Sequence, residues 1–157
     1  MAALEIWRDD VNARGGLLSR PVELVYYDDQ SNPANVPSIY TKPISLDKVD
    51  LLIGPYATNM IAAAIPVIAP YNMMTLGIFG PEVNRQFHYP KYFSMLPTGP
   101  EGVLGFSKGF FDLAGQQSPT SKTVAITAAD AESVRTAADG ARVNAGNAGL
   151  DIVYDKR

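Results

Sequence analysis

The 157-residue chain contains no cysteine. Disulfides, thiolate nucleophiles and cysteine-based metal sites are thereby excluded, while the compartment stays open because many exported proteins also lack disulfides. Histidine occurs once, as His88, with no serine-nucleophile motif near it, so it reads as a surface-loop residue and not as a catalytic base. Charge is sparse: 13 Lys and Arg stand against 16 Asp and Glu, for a net charge of -3. The basic residues are scattered, which removes the electrostatic footprint of a nucleic-acid binder. There is no 18-residue apolar run and no signal-peptide core, and the chain opens on an amphipathic segment, as though inside a helix. The patterns G-x-x-x-x-G-K-[ST] and H-E-x-x-H are missing, and Gly99, Gly102 and Gly105 have the wrong spacing for a dinucleotide turn. Neither a cofactor nor a metal is expected.

What is present is apolar. Hydrophobic residues make up 46% of the chain, enough to bury the core of one α/β domain or of pieces of two. The central stretch is residues 50–59, Asp-Leu-Leu-Ile-Gly-Pro-Tyr-Ala-Thr-Asn. Leu51, Leu52 and Ile53 read as a short strand buried on both faces of a parallel sheet, and Gly54-Pro55 ends it. Thr58 or Asn59 then stands at a helix N-cap position, ahead of the apolar stripe of Met60, Ile61, Ala64 and Ile65. A strand, a tight turn and a helix start leave unpaired N–H groups at the positive end of the helix dipole, where a carboxylate or phosphate can dock. Ordinary N-capping explains Thr58 and Asn59 equally well. A second loop, Gly77-Ile78-Phe79-Gly80-Pro81, turns sharply enough to project Phe79 from the same sheet edge.

In chain order, Leu4, Trp7 and Val11 share one face of a first helix that Gly15-Gly16 terminates. Residues 22–27 are β-rich, and Asp28-Asp29 ends them with turn chemistry in preference to a catalytic carboxylate pair. Ser31-Asn32-Pro33 predicts the next helix start, with a break before Pro43. A helix over 59–69 kinked at Pro66, a strand over 73–76, a loop over 86–91 and a strand over 92–96 follow. Thr98 and Glu101 form a capping box for a helix through Phe106, Phe110 and Leu113 that ends at Gly115. The polar stretch 116–121 divides a unit of residues 1–118 from one of residues 119–157. The second unit reads as a strand over 123–127, a helix capped by Asp130 and stopped by Gly149, and a strand over 151–154. Such β-α alternation predicts an α/β fold, a Rossmann-like parallel sheet with helices on both faces.

Asn12-Ala13-Arg14-Gly15-Gly16, the run 22–25 leading into Asp28-Asp29, and Val49-Asp50-Leu51-Leu52-Ile53-Gly54-Pro55 together resemble the leucine/isoleucine/valine-binding type of periplasmic solute-binding protein, which serves ABC importers. The resemblance extends over nearly the whole chain. It implies a type I periplasmic-binding fold, with a first lobe lacking its first strand in 1–118 and the first βαβ part of a second lobe in 119–157. It further implies a periplasmic location, a small carboxylate solute, an ABC permease as partner and no enzymatic chemistry. By the same match the ligand is held by Tyr56, Ala57, Thr58 and Asn59, with the Thr58 hydroxyl and the 57–59 amides on its carboxylate, and by Gly77, Ile78, Phe79 and Gly80. Amino-acid binders usually carry small or hydroxyl residues where Ile78 and Phe79 stand, so an aromatic or apolar acid is favoured. Two rivals remain: a ligand-sensing domain of a receptor or regulator with the same lobes, and an α/β enzyme using Asp28, Asp130 or His88. With its opposing wall incomplete, the chain alone is expected to bind weakly and to self-associate.

Overall fold

The computed structural model describes residues 2–80, 82–96, 99 and 101–156. Its first element is the predicted amphipathic helix α1 (Ala2–Ala13), none of whose residues is buried. Gly15 and Gly16 end it at φ +99° and +83°, and a side chain on Gly16 would strike the Arg20 carbonyl. Residues 22–27 follow and join no ladder, contrary to the strand that their composition predicts. β-branched and aromatic residues favour a pleated surface but make a strand only where a neighbour supplies the hydrogen bonds. The segment is held instead by Asn12, whose side chain donates to the Val22 carbonyl at 2.9 Å and accepts from the Val22 N–H at 2.7 Å.

Asp28 and Asp29 take the predicted turn role, each accepting at 2.8 Å from the backbone N–H two residues on. The turns run on through Pro33, so α2 (Val36–Ser45) starts later than Ser31-Asn32-Pro33 suggests. Nor does the helix break before Pro43. That proline lies in the last turn, and the burial of Val36, Tyr40, Pro43 and Ile44 outweighs the backbone hydrogen bond it forgoes.

Next come β1 (Leu52–Ile53), α3 (Thr58–Ile68), a 3-10 turn (Ala69–Tyr71), β2 (Thr75–Gly77), α4 (Val83–Phe87) and β3 (Tyr92–Ser94). Both flanking strands are shorter than expected, and α4 replaces the start of the predicted 86–91 loop; five residues carry too little periodicity to announce a helix. The strands form one parallel sheet in the order β1-β2-β3, with Leu52, Thr75 and Tyr92 in one register row and Ile53, Leu76 and Phe93 in the next. The first row enters the core with Val36, Tyr40, Ile44, Ile61, Ile65 and Ile68. On the other face Ile53 is 36% and Phe93 51% exposed, and Leu51, Met74 and Met95 are exposed beside them. The predicted burial of residues 51–53 on both faces is thus realised on one face only.

α5 (Gly102–Gly115) ends at the expected glycine. Thr98 of the predicted capping box lies outside the described residues, and Glu101 is itself the N-cap. The Glu82 carboxylate receives the Val103 N–H at 3.2 Å. The parallel unit β4 (Thr123–Thr127), α6 (Glu132–Asn147) and β5 (Asp151–Lys156) forms a second sheet, as the pattern predicts. Ala131 rather than Asp130 is the N-cap of α6, because Asp130 turns to an ion pair with Arg135. α6 packs on α5, where the buried Asn144 amide donates to the Leu104 carbonyl at 2.8 Å and to Ser107 Oγ at 2.9 Å. Among the described residues no helix is long and apolar enough to cross a membrane.

Candidate functional site

The sheet delivers its most distinctive backbone at the end of β1. The Gly54 N–H donates to the Leu76 carbonyl at 2.7 Å, Gly54 and Pro55 are buried, and the chain then swings outward at Tyr56, which is 64% exposed. Ala57 follows at φ +83° and ψ 153°. Only glycine adopts that region comfortably; a side-chain-bearing residue held there costs of order 1–3 kcal/mol, and such outliers gather at ligand clamps and switches. Ala57, not Thr58 or Asn59, is therefore the N-cap of α3, and Thr58 is the first helical residue. No side-chain hydrogen bond caps the terminus, and the Ala57 carbonyl accepts from the Ile61 N–H at 3.0 Å. The first-turn amides point outward at the positive end of the α3 dipole.

A cavity of about 180 Å³ opens beside this turn, lined by Asp29, Ser31, Tyr56, Ala57, Asn59 and Met60. Three predicted residues, Tyr56, Ala57 and Asn59, meet there. Thr58 lies in the same turn but does not line the cavity. In the second loop, Gly77 is pressed by the Tyr92 ring: an added Cβ would sit 2.0 Å from the Tyr92 hydroxyl. Gly80 is crowded by Ile61 and Val83, and Ile78 lines neither cavity described here. Both glycines thus serve packing. Phe79 reaches the site through its ring, stacked on Tyr56 with centroids 5.5 Å apart and planes 13° apart.

Asp29 was not among the residues that sequence reasoning assigned to the site. Its carboxylate, already accepting from Ser31, faces the same cavity as the α3 terminus. The available signal was its position at the end of a β-rich run, but turn chemistry alone accounted for the residue type. Tyr40 lies nearby, its hydroxyl donating to the Ile53 carbonyl at 3.0 Å; burial, and then the Asp29 charge, raise its pKa well above the usual tyrosine range.

A larger cavity of about 500 Å³ lies by α4 and β3 and shares only Gly80 with the predicted site. Its charges satisfy each other: Arg85 pairs with Glu82 at 2.8 Å, and the Asn84 side chain is taken up by the Tyr89 backbone. His88 is exposed at its rim, as the C-cap of α4 at φ +49°. Asp28 and Asp130, the other groups considered for acid-base chemistry, are exposed and line neither cavity.

The model of a family described as periplasmic binding protein matches residues 1–157. Among solved structures, the chain is similar to an ABC transporter substrate-binding protein of Desulfitobacterium hafniense in complex with Leu, at TM-score 0.79 and 18% identity over 98% of this chain and 44% of that one. It is similar as well to the branched-chain amino acid transporter substrate binding protein LivJ of Streptococcus pneumoniae in complex with isoleucine, at TM-score 0.74 and 20% identity over 97% and 42%. A solute binding protein of an ABC transporter from Rhodopseudomonas palustris, in complex with 3,4-dihydroxy benzoic acid, matches at TM-score 0.74 and 20% identity over 93% and 39%. The chain spans less than half the length of each of these proteins. Parallel α/β architecture, the turn at the sheet edge and the family match over the full sequence agree: the chain belongs to the periplasmic binding protein family.

Proposed function

We propose that this chain forms the first ligand-binding wall of a periplasmic solute-binding protein, one that captures a small organic carboxylate and passes it to an ABC permease. In this reading residues 1–118 belong to one lobe and residues 119–157 begin the other. The observation that carries it is the turn at Ala57, where a strained backbone aims the uncapped amides of α3 outward beside a cavity. Binding without covalent chemistry suits a site whose converging groups are amides, rings and one carboxylate.

Two ligand classes are consistent with this wall. The rings of Tyr56 and Phe79 favour an aromatic acid, as in the relative that holds 3,4-dihydroxy benzoic acid. The Asp29 carboxylate in the same cavity favours a ligand that also carries an ammonium group, as in the relatives that hold Leu and isoleucine. The test is a ¹⁵N NMR titration of the chain with benzoate and with leucine. Carboxylate docking shifts the amides of Ala57, Thr58 and Asn59, and Thr58→Val reduces the effect by removing a donor that can charge-assist the bond. If neither compound moves those amides at millimolar concentration, the reading fails.

A further inference from the structure

Three aromatic rings meet at this sheet edge, and the third comes from an element that the ligand-binding assignment does not include. Phe106, on α5, makes a T-shaped contact with Phe79, with centroids 5.7 Å apart and planes 76° apart, while Phe79 lies nearly parallel to Tyr56. The three residues come from the β1–α3 turn, the β2–α4 loop and α5. Two of them stay open to solvent, Tyr56 at 64% and Phe106 at 47% exposure. Rings that converge from three elements and remain wet are not explained by core packing. An edge-to-face contact fixes the plane of the ring it touches, because the positive ring edge is drawn to the negative face. Phe106 therefore sets the plane of Phe79, and Phe79, stacked on Tyr56, in turn sets the plane of the exposed Tyr56 ring. α5 is itself anchored by Asn144 of α6 through Leu104 and Ser107, so Phe106 is mounted on a braced helix.

We infer that Phe106 is a specificity-determining residue: it holds Phe79 so that the Tyr56–Phe79 wall selects a planar aromatic ring on a ligand whose carboxylate docks at the α3 terminus. This rests on the reading of residues 56–59 as the carboxylate site. Acetate then measures the carboxylate contact alone, and benzoate measures that contact plus the wall.

The experiment is an NMR titration of the chain and of its Phe106→Ala and Phe106→Leu variants with sodium acetate, benzoate and cyclohexanecarboxylate, following the 57–59 amides and the Phe79 ring protons. In the unaltered chain benzoate binds more tightly than cyclohexanecarboxylate, and acetate binds most weakly. Phe106→Ala weakens benzoate roughly two- to tenfold, the range one aromatic pair commands, and leaves acetate unchanged. Phe106→Leu keeps apolar volume without a ring edge, so it preserves the affinity for cyclohexanecarboxylate while losing the preference for benzoate. An unchanged benzoate-to-acetate ratio in Phe106→Ala, with the amide spectrum otherwise intact, overturns the inference and leaves the carboxylate site standing. If no probe shifts the 57–59 amides in the unaltered chain, the carboxylate reading and this inference fall together. A Phe106→Ala chain whose amide spectrum collapses shows that Phe106 supports the fold instead, and likewise overturns the inference.

Discussion

Along β1, β2 and β3 alternate residues of similar chemistry meet opposite environments. Leu52, Thr75 and Tyr92 lie among the side chains of α2 and α3, whereas Ile53 and Phe93, one residue further along the same strands, stand open with Leu51, Met74 and Met95. Parallel sheets are as a rule covered on both faces, and their strands are written as continuous apolar runs for that reason. The apolar pattern of these strands therefore reflects a two-sided sheet, while the described residues provide cover for one side. A contiguous apolar face of this kind is a surface for association.

The contrast is sharpest in large-to-small substitution. Ile65 is 1% exposed in α3, and Ile65→Ala should destabilise the chain by about 2–5 kcal/mol, the usual range for emptying a core position. Ile53→Ala on the open face should cost under about 1.5 kcal/mol, since only part of the side chain's transfer energy is realised there. Urea unfolding of both variants measures the difference, and equal losses would mean that the open face is covered in solution.

Tyr40 joins the closed face to the edge of β1. Tyr40→Phe removes the donor to the Ile53 carbonyl and should cost about 0.5–1.5 kcal/mol. The parent chain should also lose stability as pH rises above about 10, the ordinary tyrosine pKa. The unfolded side chain ionises there while the buried one stays neutral, so the native state binds more protons and the Tyr40 contribution, complete below that pH, declines through the raised folded value. Thermal melts between pH 8 and pH 11 should show a shallower decline in Tyr40→Phe.

The smallest effect on folding belongs to the open face. Phe93→Lys should change monomer stability by no more than about 0.5 kcal/mol, as befits a surface position. We propose that this face drives self-association, in which case Phe93→Lys lowers the average mass seen by size-exclusion chromatography with light scattering. An unaltered chain that runs as a monomer at high concentration refutes the proposal.

Much of this fold could be read from residues. β4 falls on the expected positions, α5 stops at Gly115, and Gly54-Pro55 ends β1, because glycine, proline and short apolar runs act locally. The misreadings arise where tertiary context decided. Residues 22–27 have strand composition but no ladder partner, Pro43 is retained in α2 by burial, and Pro33 lies within the Asx turn in which the Asn32 side chain accepts from the Ala34 N–H. At the candidate site, the strand-turn-helix pattern pointed to Thr58 and Asn59 and the family resemblance added Tyr56 and Ala57; of these, Tyr56, Ala57 and Asn59 line the cavity. Ala57 as N-cap was not, since alanine is among the poorest capping residues and nothing in its type signals a positive φ. Asp29 and Phe106 were missed because both reach the site from elements distant in sequence.

The backbone at Ala57 has an evolutionary corollary. A single base change turns an alanine codon into a glycine codon, and glycine accepts φ +83° without strain. The fold therefore sits one mutational step from relief at this turn. Selection for thermostability alone would take that step readily, and in doing so would loosen the rigid presentation of the α3 amides. A lineage or library selected for heat resistance without ligand would drift toward a sturdier sheet edge and a more pliable mouth.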